Sequence, residues 1–257
     1  MRLFRLILLC LVVYALTVVW LFPAAPVVER ITPMLKPLEL AGVEGRVLNG
    51  SIQNVFYDDG IVPVALSNVA WKLAPQKLFS GAAGVDFTFD AYGGKGEGQV
   101  AHRYNGDTSL SDLVFEGPAK ELEALLPLPL AQFQGRLLAT IESAEIRNQL
   151  LSTFRGQVSW VDAILEQPIQ ASLGKIDLDI KPVDDLTHRG FITAAGGELG
   201  VEGTVDLKQN GDFKADITVT PTADATPELL SALRGLGRPD QSGRYRIRQN
   251  GNVNRLM

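Results

Sequence analysis

The sequence predicts a mainly β protein: one N-terminal transmembrane helix, then a largely antiparallel β-sheet with two or three short helices. Three observations predict it. An apolar run opens the chain. Short runs of alternating apolar and polar residues fill the rest. The same Asn-Gly turn chemistry recurs between those runs.

The opening run is "MRLFRLILLCLVVYALTVVWLFP". From Leu6 to Phe22 only Thr17 is polar. This matches the roughly 20 residues that cross about 30 Å of hydrocarbon. Arg2 and Arg5 mark the cytoplasmic end, Trp20 sits at the far interface beside Phe22, and Pro23 stops the helix. A cleaved signal peptide is the rival reading. It wants small residues at −3 and −1, but cleavage after Ala24 puts Phe22 at −3 and cleavage after Ala25 puts Pro23 there. The sequence therefore divides into a membrane anchor (1–22), a connecting segment (23–41) and a β-rich domain outside the cytoplasm (42–257). Cys10 lies inside the anchor behind Leu9, which disfavours a lipoprotein cleavage, and no disulfide can form within the chain.

The clearest strands lie in "GTVDLKQNGDFKADITV". Val205 and Leu207 alternate with Asp206 and Lys208; Phe213, Ala215, Ile217 and Val219 alternate with polar residues. A two-residue Asn-Gly loop would set Leu207 opposite Lys214 and mix the faces. A three-residue loop, Gln209-Asn210-Gly211, sets Leu207 opposite Phe213 and Val205 opposite Ala215. "YNGD" predicts a similar turn, with Val100 opposite Leu110, and "IRQNGNV" predicts a third at Gln249-Asn250-Gly251. Further strands are expected at 45–47, 55–57, 64–73, 85–91, 112–115, 133–143, 156–161, 171–180 and 190–194. Helices are expected at 119–126, between Pro118 and Pro127, and after Thr226, with Pro227 in its first turn and Gly235 near its end. Val27–Ile31 continues helically out of the anchor. "GRVLNG…VAWKL" is echoed by "GRLLAT…QVSW", which suggests two similar halves.

The 24 Lys and Arg include Arg2 and Arg5, so the part beyond the anchor sets 22 basic residues against 29 Asp and Glu. An acidic surface excludes a nucleic-acid partner as the default and does not favour anionic headgroups. Chemistry-bearing motifs are few. His102 falls in a strand near a turn, and His188, in "DDLTHRG", reads as part of a solvated turn after Asp184-Asp185. No further His or Cys stands at zinc-ligand spacing. "YGGKGEG" resembles a phosphate loop, but a strand and hairpin follow it where a helix is required, so it reads as a closely packed or flexible strand-turn. There is no Gly-x-Ser-x-Gly elbow, and Asp58-Asp59 lacks the ligand spread of a calcium loop. No cofactor or metal is called for. In "VAWKLAPQKLFSG", Val69, Trp71 and Leu73 share one face, and Pro75 turns the strand out of its sheet. Trp71 reads there as an edge or core plug.

The anchor's "WLFPA", then "VEGRVLNGSIQNV", "VAWKLAPQKLFSG" and the C-terminal "GRYRIRQNG" resemble the protein N family of the bacterial type II secretion system, the general secretion pathway. Leu48 and Asn49 stand where that family usually has Trp and Ser. The resemblance implies a single-pass inner-membrane protein with a periplasmic domain, partnered by other secretion subunits and by inner-membrane lipid. It also implies similarity to AsmA-like proteins, whose sheets curl into an open barrel or groove able to hold a partner's strand, an acyl chain or a phospholipid. Trp71, Phe87, Phe89, Val158 and Trp160 are the candidate groove or packing side chains. Side by side as an open lining they would favour lipid; a lining filled by its own side chains would favour a scaffold. An enzyme has no catalytic group to rest on.

Overall fold

A computed structural model describes residues 14, 17–18, 20–34, 36–58, 64–74, 77, 81–124, 132–147, 150–167, 169–184 and 186–252. Thirteen strands follow one another in space in the order they occupy in the chain: β1 (Leu38–Arg46), β2 (Asn49–Tyr57), β3 (Val64–Ala74), β4 (Ala82–Ala91), β5 (Gly94–Arg103), β6 (Thr108–Pro118), β7 (Gln132–Arg147), β8 (Leu150–Gln167), β9 (Ala171–Asp184), β10 (Thr187–Ala195), β11 (Leu199–Lys208), β12 (Asp212–Pro221) and β13 (Tyr245–Asn252). Every neighbouring pair is antiparallel. The meander is open, since β1 and β13 do not pair with each other. Helices α1 (Ala25–Ile31) and α2 (Pro227–Leu236) accompany it.

Turn chemistry sets the register where expected. Leu207 faces Phe213 and Val205 faces Ala215 across Gln209-Asn210-Gly211, with Gly211 at φ 84°. Val100 faces Leu110. The third expected hairpin is absent. Gln249, Asn250 and Gly251 continue β13, paired with Ala215, Lys214 and Phe213, because β12 is long enough to carry the ladder to Asn252. The segment after Pro118 is a 3-10 helix over Ala119–Ala124.

The alternation of apolar residues hides a second rule. Leu40 and Val43, Leu66 and Val69, Leu110 and Leu113, and Trp160 and Ala163 each stand three apart, which should place them on opposite faces. Between them lie Gly42, Asn68, Asp112 and Asp162, all at positive φ (49° to 70°). Ladder irregularities accompany the last three of these sites, between Ser67 and Ala70, between Glu97 and Gln99 opposite Asp112, and between Trp160 and Ala163. Each extra residue returns the apolar pattern to the same face and adds twist. Gly, Asn and Asp hold these positions because they tolerate the left-handed region.

One face is therefore apolar across the sheet. Phe89, Gly96, Phe115, Ala139, Val158, Leu178, Ile192, Gly203, Ile217 and Ile247 form an unbroken cross-strand row from β4 to β13. The adjacent row on the other face is Asp90, Lys95, Glu116, Leu138, Ser159, Asp177, Thr193, Glu202, Thr218 and Arg246. Burying the first row against something else is what the sequence pattern asks for. Helix α2 does so at the β13 end, where Leu233 packs with Val219 and Tyr245 over Val201, Ile217 and Ile247. Thr226 caps α2 by accepting from the Leu229 amide. Glu198 accepts from the amides of Ser172 and Thr226, tying the helix start to β9.

Side chains reach across intervening strands near β8–β11. Phe154 of β8 meets His188 of β10 edge-on at 6.4 Å over β9. Gln209, after β11, donates to the Leu151 carbonyl of β8 at 2.7 Å.

At the N-terminal end, Tyr14, Thr17, Val18, Trp20 and Leu21 are helical, while Arg2, Arg5 and Leu6 lie outside the described residues. Among the described residues no helix is long and apolar enough to cross a membrane. The chain leaves this segment without slack. The Phe22 carbonyl accepts from the Val47 amide, the Ala24 amide donates to the Gly45 carbonyl, and Pro23 bridges to Arg46.

Candidate functional site

The candidate aromatics fall into two groups on the apolar face. In the first, Trp71 of β3 stands opposite Phe87 of β4, Phe87 stacks on Phe89 at 6.0 Å, and Phe89 stacks on Phe115 of β6 at 6.2 Å. The last contact spans a whole strand. It exists because β5 presents Gly94, Gly96 and Gly98 on this face: a Cβ at Gly96 would stand 2.3 Å from the Phe89 ring, and one at Gly94 would stand 2.8 Å from the Phe115 ring. The glycines of "YGGKGEG" thus form a floor for three phenyl rings, which covers bare backbone with aromatic surface.

The second group is Phe133 and Trp160, edge to face at 5.4 Å. Val158 lies between the groups, opposite Ala139 and Leu178. Both tryptophans are clamped. Trp71 Nε1 donates to the Val47 carbonyl at 3.1 Å, and its ring lies over Gly50. Trp160 Nε1 donates to the Gln134 carbonyl at 2.8 Å, beside Gly135. The echoed Gly-Arg segments therefore each receive an indole, with Gly45 and Gly135 both at positive φ.

Sequence reasoning missed Phe115, Phe133 and His188. Phe115 and Phe133 were legible as strand residues, but their partners come from other strands. His188 corrects the expectation of a solvated turn. It is the second residue of β10, 8% exposed on the apolar face, and its Nε2 has no hydrogen-bond partner among the described residues. Strand β10 begins at Thr187, three residues before the expected 190, and just ahead of it Asp184 Oδ1 accepts from the Leu186 amide.

No large side chain among the described residues is fully buried, and most of the apolar face is half-exposed. The lining is neither an empty trough nor a sealed core. Among the described residues no cluster of His, Cys, Asp or Glu fits a metal ion. A shallow depression between β3, β4 and β5 is lined on the polar face by Lys72, Asp86, Thr88, Glu97 and Gln99, a set with no histidine or cysteine.

The polar face is cross-linked by ion pairs. Arg189 holds Asp206 through two bonds, at 2.5 and 2.9 Å. Arg246 holds Asp216 through two, at 2.8 and 2.7 Å, and Arg248 adds a third at 3.3 Å. The Arg246 hydrogen bonds lead in pulling the Asp216 carboxyl down to about 2. The two backbone amides on Glu198 lower its carboxyl in the same direction.

The two sheet edges differ. The end of β1 is occupied by the Pro23–Arg46 bridge, and α1 packs beside the strand. Among the described residues β13 pairs only with β12.

A family model described as type II secretion system (T2SS), protein N matches residues 36–248. The chain belongs to the type II secretion system protein N family. The match begins two residues before β1 and ends within β13, so it spans the sheet from its first strand into its last, with α2. The chain is also similar to the type II secretion system protein N of Aeromonas hydrophila, 25% identical over 237 residues, covering 90% of this chain and 91% of that one. No solved structure matches. Membership of the protein N family suggests an accessory secretion component and supplies no sign of catalysis.

Proposed function

We propose that this protein is an inner-membrane accessory component of the type II secretion pathway. Residues 1–22 form its single-pass anchor, and its β domain stands in the periplasm and docks other secretion subunits. The observation that carries the reading is the junction at Phe22–Ala24. Its pairing with Gly45, Arg46 and Val47 fixes the sheet directly to the end of the apolar segment. A sheet held in one orientation at the membrane suits a docking platform, because edge strands offer unpaired backbone groups to a partner chain.

The test is genetic and biochemical. Deleting the gene in its host is expected to reduce export of folded enzymes across the outer membrane, and the full chain is expected to restore it. Native export in the deletion strain would remove the reading.

One observation favours a second reading. The apolar row runs unbroken across ten strands, most of that face is half-exposed among the described residues, and α2 covers it at the β13 end. Such a face suits an acyl chain or a phospholipid from the inner membrane, in the manner of AsmA-like proteins. Native mass spectrometry of the full chain in detergent separates the two. Stoichiometric phospholipid supports lipid handling, and a lipid-free protein that captures secretion subunits supports docking.

A further inference from the structure

We propose that β13 is the docking edge, and that it accepts an extended segment of a partner protein in which acidic and apolar residues alternate. The inference rests on the docking reading above and names the surface and the partner's chemistry.

The edges of the sheet are not equivalent. The junction after the apolar segment and helix α1 stand against β1. Along β13, the backbone groups that point away from β12 have no partner strand among the described residues. An edge in this state recruits another strand unless its side chains forbid it.

The side chains of β13 select what can be added. On the polar face it carries Arg246 and Arg248, with side chains 57% and 65% exposed, and both lean on the single carboxylate of Asp216. Two guanidiniums against one carboxylate leave one positive charge in excess at the edge of an acidic protein. A β13 from a second copy would bring further arginines to this edge, and like charges directly opposite are destabilising. A strand with carboxylates facing Arg246 and Arg248 completes the charge pattern.

The apolar face dictates the residue between them. The apolar row from Phe89 through Ile217 ends at Ile247, and Tyr245 beside it is already buried under α2. A fourteenth strand continues that row only if the residue facing Ile247 is apolar. The required pattern is acidic, apolar, acidic at successive positions. The protein uses the same pattern inside its own sheet, in Asp177-Leu178-Asp179 of β9. It is an amphipathic edge partner in which backbone pairing gives affinity and alternate side chains give specificity.

The probe is a dye-labelled peptide repeating Ile-Asp-Leu-Asp, titrated by fluorescence anisotropy with the full chain in detergent. Its control carries Lys in place of Asp. Two further versions carry N-methyl groups on alternate amides, one set for each edge of the peptide. The acidic peptide is expected to bind and the basic one not. Arg248→Glu is expected to weaken the acidic peptide about tenfold. The double change Arg246→Glu with Arg248→Glu is expected to transfer binding to the basic peptide, a gain that only a folded edge delivers. One N-methyl set should abolish binding and the other leave it intact. Equal binding of acidic and basic peptides overturns the proposal. So does a double variant that keeps its thermal transition yet binds neither peptide, and so does indifference to both N-methyl sets. If these charge reversals leave subunit capture and export intact, the edge assignment falls while the secretion role stands. Native export in the gene deletion removes the role itself.

Discussion

Phe89 and Phe115 stack with ring centroids 6.2 Å apart and planes within 4° of parallel, although a complete strand runs between them. The strand is bare at Gly96, which pairs with both. Glycine in a strand normally weakens it; here the missing side chains make room for the rings of neighbouring strands.

That arrangement predicts a graded response along β5. Gly96→Ala pushes only against the far end of the Phe89 ring, whereas a Cβ at Gly94 would meet the Glu116 carbonyl at 2.3 Å and the Gly117 Cα at 2.6 Å. Rings yield more readily than a paired backbone. Gly96→Ala is expected to cost about 1 kcal/mol and Gly94→Ala about 2–3 kcal/mol. Urea denaturation followed by tryptophan fluorescence measures both, and a reversed order would contradict the ring-floor account.

The bulge at Asp112 gives a second prediction. Its φ of 52° is unfavourable for a residue with a Cβ and worse for a β-branched one. Asp112→Gly is expected to preserve or raise stability, and Asp112→Val to lower it by about 1–2 kcal/mol. Thermal melts of the two variants check this. If valine is tolerated as well as glycine, the bulge does not set the register of Leu110 and Leu113.

Helix α2 is the only cover over the apolar face described at the β13 end, and Leu233, 5% exposed, is its main plug. Leu233→Ala is expected to cost about 2–5 kcal/mol by the usual cavity penalty. It is also expected to increase binding of an apolar dye at the exposed face. A variant that loses stability without gaining dye binding would mean that the face closes on itself.

Strong acid should loosen β13. The Asp216 carboxyl is depressed from its ordinary value of 3.8 to about 2 by Arg246, so its pairing contributes fully above pH 3.8. The contribution is lost as pH falls through about 2, since a depressed folded-state carboxyl binds its proton more weakly than the unfolded chain does. The protection of β13 amides, taken relative to their intrinsic exchange at each pH, is expected to fall over that interval, and Asp216→Asn is expected to show the lower protection at every pH. Exchange in β13 that ignores both changes would assign the strand's hold to its backbone ladder alone.

The β class, the three-residue loop at Gln209–Gly211 and the facing of Val100 with Leu110 were legible in the sequence. These are local properties, because side-chain alternation and glycine's access to positive φ act within a few residues. It also carried enough of the family's pattern, from "GRVLNG" to "GRYRIRQNG", for the resemblance to be recognised. The third hairpin failed because the same Gln-Asn-Gly chemistry, when β12 offers a ladder along its whole length, is drawn straight into pairing. His188 failed because a buried imidazole and an exposed one have the same neighbours in sequence. Tertiary pairing settled that four residues at positive φ return the apolar pattern to one face, that glycines of one strand seat the rings of two others, and that the end of β1 carries the Pro23 junction while β13, among the described residues, pairs only with β12. Each of these depends on which strand lies beside which, and pairing between strands is a non-local choice that local propensity does not encode.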